Sequence, residues 1–298
     1  MGHAHHHHDH GERNLAWAIG VNVALTVAEI IGGVLSGSLA LIADAVHNLS
    51  DAGSLIVALV ARRVARQPSS DVHTFGFRRA EMIGSLINLT TLVVIGLYLI
   101  FEGVSRMFSP EPVGGWIMVW VSAGALVVDS ITALLTWRMS KVSMNIRAAF
   151  VHNVADALGS VAVIVAGTLV IVYGWTVADT LATFLISAYI LYQGLTMGRT
   201  VVRSLLDAVP AGLELADIPA AMNSHRGVLD VHHVHIWQLG ERANALEAHV
   251  VVHGETRLAE LEELKTILKK LLHDRFGIEH ATLEFESQEK TCSQNGEC

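Results

Sequence analysis

The stretch DAVHNLSDAG, residues 44–53, places polar and ionisable side chains inside an otherwise apolar run. Its polar members stand at positions 44, 47, 48 and 51, which is the i, i+3, i+4, i+7 spacing of one helix face. A second stretch, FVHNVADALG at residues 150–159, repeats the pattern. Both copies read His-Asn-x-x-Asp-Ala, so the sequence predicts two helices that carry matching polar stripes.

The composition around these stretches is typical of a membrane protein. The 298 residues are 52% hydrophobic and only 16% charged, with a mean hydropathy of +0.46, and this leaves too little polar surface for a soluble chain of this length. The net charge of −8 and the lack of a basic patch argue against a nucleic-acid partner. The N-terminal residues show no cleavable signal peptide. The only cysteines, Cys292 and Cys298, stand in the polar tail, and such sparse usage fits a reducing compartment.

Six apolar segments are each long enough to cross a bilayer as a helix, which takes about 20 residues. They cover residues 15–35, 39–61, 80–104, 116–137, 146–173 and 177–200. Arginine and lysine gather in the junctions between segments 2 and 3 (the 2–3 junction) and between segments 4 and 5 (the 4–5 junction), and after the sixth segment. The turns that connect segments 1 and 2, 3 and 4, and 5 and 6 carry only Arg106. The positive-inside rule therefore predicts a multi-pass protein with both termini in the cytoplasm.

After Asp207 the chain becomes more polar, and its patterns alternate between helix and strand. Helical spacing at residues 214–225 and 258–272, and strand-like runs at 227–237, 245–253 and 280–286, predict a small αββαβ domain. So small a core favours association with a second copy. We expect four parts: a His-rich cytoplasmic tail (1–13), a six-helix transport domain (14–206), a cytoplasmic metal-binding and dimerisation domain (207–287) and a flexible tail (288–298).

The matched stripes admit two interpretations. Ionisable groups inside a bilayer cost several kcal/mol each unless they pair or face a polar cavity, so a hydrogen-bonded network between two helices is the first. The second is a metal site, because His47, Asp51, His152 and Asp156 offer two imidazoles and two carboxylates, a set that suits tetrahedral zinc and offsets its charge. The duplication favours the metal site, since packing needs no matched set.

Several motifs together resemble the cation diffusion facilitator family, which includes bacterial zinc, cadmium and cobalt exporters and eukaryotic zinc transporters. They are GSLALIADAVHNLSD (37–51), FGFRRAE (75–81), HNVADALGS (152–160), HHVHIW (232–237) and EAHVVV (247–252), and the resemblance covers nearly the whole chain. It implies a homodimeric metal/proton antiporter of the bacterial inner membrane, with six transmembrane helices and a ferredoxin-like cytoplasmic domain. It also implies a transport site at His47, Asp51, His152 and Asp156. A His-Asp pair on both helices is the family's zinc pattern, with cadmium and cobalt as alternatives.

The resemblance extends to sites outside the membrane. It implies that a regulatory zinc binds to His235, His249 and Glu286, with His232 and His280 as additional candidates, although a solvated sheet face explains alternating polar residues equally well. Three further features match the family pattern in part. Asp71 and His73 match part of a family site, but Phe77 replaces its second histidine, so we expect that site to be weak or absent.

The other two features have two interpretations each. Arg79 and Asp207 either match a charge pair found in relatives or are two unpaired charges at the membrane interface. The N-terminal histidines form a native metal-gathering tail, which we favour, or a purification tag; they are His3, His5, His6, His7, His8 and His10.

The remaining intramembrane polar residues either line a water path or pin helices together, and the pinning role is favoured. They are Asn22, Glu29, Asn88, Asp129 and Asp179. Asp44 lies one turn before His47 and is a candidate to support that ligand rather than to bind the ion itself. Cys292 and Cys298 are poor candidates for ligands.

The sequence thus predicts zinc export from the cytoplasm in exchange for protons. Reprotonation of the site histidines outside the cell would favour release. A membrane-embedded metalloenzyme is one alternative, but no HExxH string occurs, and four protein ligands leave no open position for an activated water. A membrane-anchored metal sensor is the other, but it needs no paired ionisable groups in mid-bilayer. We therefore expect no enzymatic activity, and zinc, protons, lipid and a second copy as partners.

Overall fold

The computed structural model describes residues 8–140, 144–240 and 243–289. Six long helices are followed by helix, strand, strand, helix and strand, which confirms the predicted order. The chain forms two compact units, one within residues 1–56 and 87–197 and the other within residues 57–86 and 198–298.

The six long helices begin and end close to the predicted spans. They are α1 (His8–Ser36), α2 (Leu39–Ala65), α3 (Ala80–Phe108), α4 (Gly115–Ser140), α5 (Met144–Tyr173) and α6 (Val177–Leu205). Among the described residues, α3 to α6 each contain a stretch long and apolar enough to cross a membrane, and α1 contributes a shorter apolar stretch, Val23–Ser36. Most helices run a few residues past the spans, because hydrogen bonding continues into polar sequence after the hydropathy falls.

Packing in the first unit uses both alanines and larger apolar residues. Helix α4 packs against both α5 and α1, and the buried interior includes Ala40, Ala43 and Ala166. Other large apolar side chains point outward: Leu35 and Trp120 are each 71% exposed. Buried small residues and an apolar exterior are the arrangement expected of helices that pack in lipid.

The second unit contains the small mixed domain. Helix α7 (Asp217–Asn223), strands β1 (Asp230–Gly240) and β2 (Ala243–Val252), helix α8 (Leu258–Phe276) and strand β3 (Ile278–Ser287) follow in that order. The sheet has the order β1-β2-β3, in which β1 and β2 are antiparallel, and β2 and β3 are parallel. A parallel pair needs a crossover connection, and α8 supplies it. One sheet face is polar and the other packs against α7 and α8.

The apolar face of this domain is anchored by Leu268 of α8, which is fully buried beside Leu246 and Val250. Replacing Leu268 with alanine leaves a cavity, so we expect a loss of about 2–5 kcal/mol in domain stability. Hydrogen exchange of the strand amides measures this loss as faster exchange. The matched control is Leu258→Ala at the start of α8, where the side chain is 76% exposed; equal exchange rates in the two variants would contradict the assigned core.

Candidate metal centres

The matched stripes of α2 and α5 face each other inside the first unit. His47 and Asp51 lie one helical turn apart on α2, and His152 and Asp156 lie one turn apart on α5. Nε2 of His152 lies 2.9 Å from Oδ2 of Asp51 and 3.4 Å from Oδ2 of Asp156. Nε2 of His47 lies 3.2 Å from Oδ1 of Asp156 and 3.8 Å from Oδ2 of Asp51. The structure therefore brings the four predicted ligands together, with donor atoms all within 4.8 Å of one another.

These separations have the dimensions of a tetrahedral site. An ion with bonds of about 2.0–2.2 Å holds its donors about 3.3–3.6 Å apart. The four nitrogen–oxygen distances, 2.9–3.8 Å, span that range. Two carboxylates also offset the charge of a divalent cation in a medium where an unpaired charge is costly.

The four-residue cluster is closed on one side and accessible on the other. The side chains of His47 and Asp156 are 3% and 8% exposed, whereas those of His152 and Asp51 are 32% and 33% exposed. Asp51 follows His47 on α2 and His152 precedes Asp156 on α5, so the two accessible residues lie nearer the 2–3 and 4–5 junctions.

Neighbouring residues contact the cluster or the two helices that carry it. The ring of Tyr189 on α6 meets the His47 ring edge-on, with 5.6 Å between the ring centroids. Asn48 donates a hydrogen bond of 2.9 Å to Glu29 of α1. At Gly159 an added Cβ would lie only 3.2 Å from Asp44 Oδ1, so a glycine here lets α5 approach α2. The sequence pattern does not indicate Tyr189, because a tyrosine in an apolar helix carries no local signal for such a contact.

The other intramembrane polar residues are mostly paired with neighbouring helices. Glu29 pairs with Asn48 as above, and Asn88 of α3 donates to the Ser50 hydroxyl at 3.4 Å. Asp44 is buried, and its Oδ2 has no hydrogen-bond partner among the described residues. It lines a cavity of about 250 Å³ that His47, Asp156 and Tyr189 also line. Oδ2 of the buried Asp129 likewise has no such partner in the described part of the chain. Nothing is described of the Asn22 side chain.

On the polar face of the sheet, strand β1 contains an irregularity that sequence alternation does not predict. Its register on β2 shifts between His232 and His235, and His233 has a φ of +50°. His232 pairs with His249, and His235 pairs with Glu247, so His232 and His235 lie on the same face although they are three residues apart.

The cluster that results contains His232, His249 and Glu286, with donor atoms within 4.8 Å of one another. Glu286 Oε1 lies 2.6 Å from His249 Nδ1, and its Oε2 lies 3.5 Å from His232 Nε2. His235 shares the polar face but is not part of this three-residue group. Its ring instead contacts the ring of His233, with 4.9 Å between the ring centroids. Of the predicted trio, the structure thus groups His249 and Glu286, and it supplies His232, one of the additional candidates, as the third member.

The remaining candidate residues do not join either cluster. The ring of His73 packs against that of Phe77, with 4.3 Å between the ring centroids. The ring of His280 meets that of Phe75 edge-on, with 5.4 Å between the centroids. Within the described ranges, three or more potential metal donors converge only at the two clusters above. Arg79 forms an ion pair with Asp207, so the paired interpretation of these charges holds. His3, His5, His6, His7, Cys292 and Cys298 lie outside the described residues, and nothing is described of the side chains of His8 and His10.

Two family models match the chain in succession. The transmembrane domain of cation efflux proteins matches residues 15–206, and the cytoplasmic domain of cation efflux proteins matches residues 210–288.

Individual relatives match over nearly the whole chain. A "Cadmium, cobalt and zinc/H(+)-K(+) antiporter" of Bacillus subtilis is 35% identical, over 88% of this chain and 85% of its own length. The "Zinc transporter ZitB" of Escherichia coli is also 35% identical, over 97% of this chain and 93% of its own length. The "Metal cation efflux system protein CzcD" of Cupriavidus metallidurans is 32% identical, over 96% of this chain and 90% of its own length. With both domains matched in order, the chain belongs to the cation efflux family, the cation diffusion facilitators, and is a multi-pass membrane transporter rather than an enzyme.

Proposed function

We propose that this protein exports zinc from the cytoplasm in exchange for protons and that His47, Asp51, His152 and Asp156 bind the transported ion. The observation that carries the proposal is the convergence of two imidazoles and two carboxylates from α2 and α5 at tetrahedral separations. The relatives named as zinc, cadmium and cobalt transporters support this class of cargo. Cadmium and cobalt are secondary cargoes of the same site.

The accessible side of the cluster supports entry from the cytoplasm. Asp51 and His152, the two more exposed members, lie nearer the loops in which basic residues concentrate. By the positive-inside rule those loops and both termini are cytoplasmic, in the inner membrane of a bacterium. An ion that enters there meets Asp51 and His152 first and then the buried pair, His47 and Asp156.

Competition between metal and protons explains the coupling. An imidazole nitrogen binds a metal only when that nitrogen carries no proton, and a carboxylate binds best when ionised. Zinc entering the site therefore displaces protons, and protons arriving from the outside displace zinc. Inside a bilayer each exchange also keeps the site close to neutral, which limits the cost of charge in a low-dielectric medium.

The cytoplasmic domain serves as a regulatory and dimerising module in this proposal. It comprises residues 207–287, with the transport domain at 14–206, a His-rich tail at 1–13 and a flexible tail at 288–298. His232, His249 and Glu286 are the residues that would hold a regulatory zinc: Nε2 of His232 is buried and has no hydrogen-bond partner among the described residues. The match to a cytoplasmic domain of cation efflux proteins supports a homodimer.

Flux measurements in sealed vesicles test the proposal. With purified protein in liposomes, a zinc indicator and a pH dye trapped inside should report opposite movements of zinc and protons. An imposed pH gradient should drive zinc uphill, and an ionophore that collapses it should abolish uphill movement. Asp71→Asn, a change to an exposed carboxylate outside the cluster, is the matched control and should transport normally. A metal sensor, the alternative function, predicts zinc binding without either flux.

Metal preference tests His47 as a ligand. His47→Asp replaces an imidazole with a third carboxylate, and imidazole suits zinc whereas an oxygen-rich set suits harder cations. We expect the zinc-to-manganese rate ratio to fall by about tenfold or more. Competition of the two metals in the same vesicles measures this ratio, and a parental ratio in a folded variant would contradict the role given to His47.

A further inference from the structure

The turn between α1 and α2 is held by a carboxylate from a distant helix. Asp179 of α6 is 1% exposed and accepts three hydrogen bonds from the start of α2. The Ser38 hydroxyl donates at 2.5 Å, the Leu39 amide at 2.9 Å and the Ala40 amide at 3.2 Å. The first amides of a helix have no partner within the helix, and a negative charge at this end also complements the helix dipole. Asp179 therefore caps α2 from another helix.

A second contact holds the same turn from α3. The Arg106 guanidinium, whose side chain is 13% exposed, donates to the Gly37 carbonyl and pairs with Glu111 at 3.1 Å. The Gly114 amide donates to the Ser36 carbonyl at 2.7 Å. Helices α3 and α6 carry none of the four predicted transport ligands, so the turn is tied to parts of the unit that do not bind the ion.

The distances along α2 show what such an anchor does to the transport site. His47 is eight residues beyond Leu39 and Asp51 is twelve beyond it, which places them about 12 and 18 Å along the helix at 1.5 Å per residue. A tilt of about 10° around the anchored end would displace them by about 2–3 Å. Metal–ligand bonds are about 2.0–2.2 Å long, so a tilt of this size is enough to make or break the site.

We propose that Asp179 is a positioning residue that fixes the outer end of α2, the end away from the basic loops, and that α2 turns about this anchor during transport. Arg106 is the second half of the anchor. The inference rests on the proposed function, because it assigns Asp179 a role in the reorientation step and none in holding the ion. It distinguishes Asp179 from other buried polar residues of α6 such as Ser187, whose hydroxyl has no hydrogen-bond partner among the described residues.

The test is steady-state zinc flux through the full-length protein in liposomes. Asp179→Asn keeps the shape of the side chain but turns one acceptor into a donor that faces an amide. We expect kcat to fall by about tenfold or more while KM for zinc changes by less than about twofold. Ser38→Ala removes one of the three hydrogen bonds to Asp179 and also the one that its hydroxyl accepts from the Leu41 amide at 3.1 Å. It should lower kcat less than Asp179→Asn does, and the two changes together should lower kcat by less than the product of their separate effects. Ser187→Ala is the matched control and should keep parental kinetics.

The outcomes separate this inference from the proposed function. If the parental protein moves no zinc, the proposed function fails. If the parental protein is active and Asp179→Asn has parental kcat, or loses rate only through a raised KM, the anchor is wrong. If Asp179→Asn does not fold, Ser38→Ala and Arg106→Gln decide, and parental kcat in both overturns the inference.

Discussion

Replacing Asp51 or Asp156 with alanine is expected to abolish zinc flux while the protein still folds and inserts. Each carboxylate lies within 4 Å of both imidazoles in the cluster. Its removal therefore deletes one ligand and leaves a bound divalent ion with an uncompensated positive charge. Inside the bilayer that charge costs several kcal/mol, and the loss of a metal–oxygen bond adds to it. Flux should fall to the rate of protein-free vesicles.

The two positions also differ in a way that can be measured. Asp156 is 8% exposed and Asp51 is 33% exposed, so Asp156→Asn leaves its amide in the less hydrated position. We expect Asp51→Asn to retain more residual zinc binding than Asp156→Asn. The Asp71→Asn control distinguishes loss of the site from a general loss of a carboxylate. Parental flux in a folded Asp51→Ala or Asp156→Ala variant would mean that the transported ion binds elsewhere.

The helices and the intramembrane cluster could be predicted because both depend on local spacing. An apolar run of about 20 residues predicts a span whatever surrounds it. The four-residue spacing of His47 and Asp51, repeated by His152 and Asp156, places each pair on one helix face before any tertiary contact is known. The duplication supports the hypothesis that the two pairs meet across α2 and α5, and the structure shows the contact.

What the sequence did not predict depends on contacts between distant segments or on local backbone geometry. The bulge at His233 places both His232 and His235 on the polar sheet face, whereas strict alternation would have separated them. Asp179 is 141 residues from Ser38, and no local pattern indicates that it caps α2. Tyr189 meets His47 for the same kind of reason. In each case the missing information is which elements pack together.

The bulge at His233 also determines which residues of the cytoplasmic domain can bind zinc together. Changing His232, His249 and Glu286 together to alanine should abolish zinc binding by this domain, because the three side chains form one donor group. Equilibrium dialysis of the protein measures this binding. Every protein compared also carries Asp51→Ala, which removes the transport site, and lacks residues 3–10, which removes the N-terminal histidines. The triple variant should then lack one class of bound zinc that the reference protein retains. Zinc flux in the triple variant with an intact transport site should fall only partly, because the regulatory site does not carry the transported ion.

His235→Ala is the matched comparison, since His235 lies on the same sheet face but outside the three-residue group. The geometry predicts that His235→Ala retains this class of zinc, whereas His232→Ala loses much of it. The family resemblance, which names His235 as a ligand and His232 as an additional candidate, predicts instead that His235→Ala loses this class of zinc, so His235→Ala decides between the ligand sets. Complete loss of flux in a folded triple variant would show that the cytoplasmic site is obligatory for transport. The regulatory role would then be wrong, even though the site itself binds zinc.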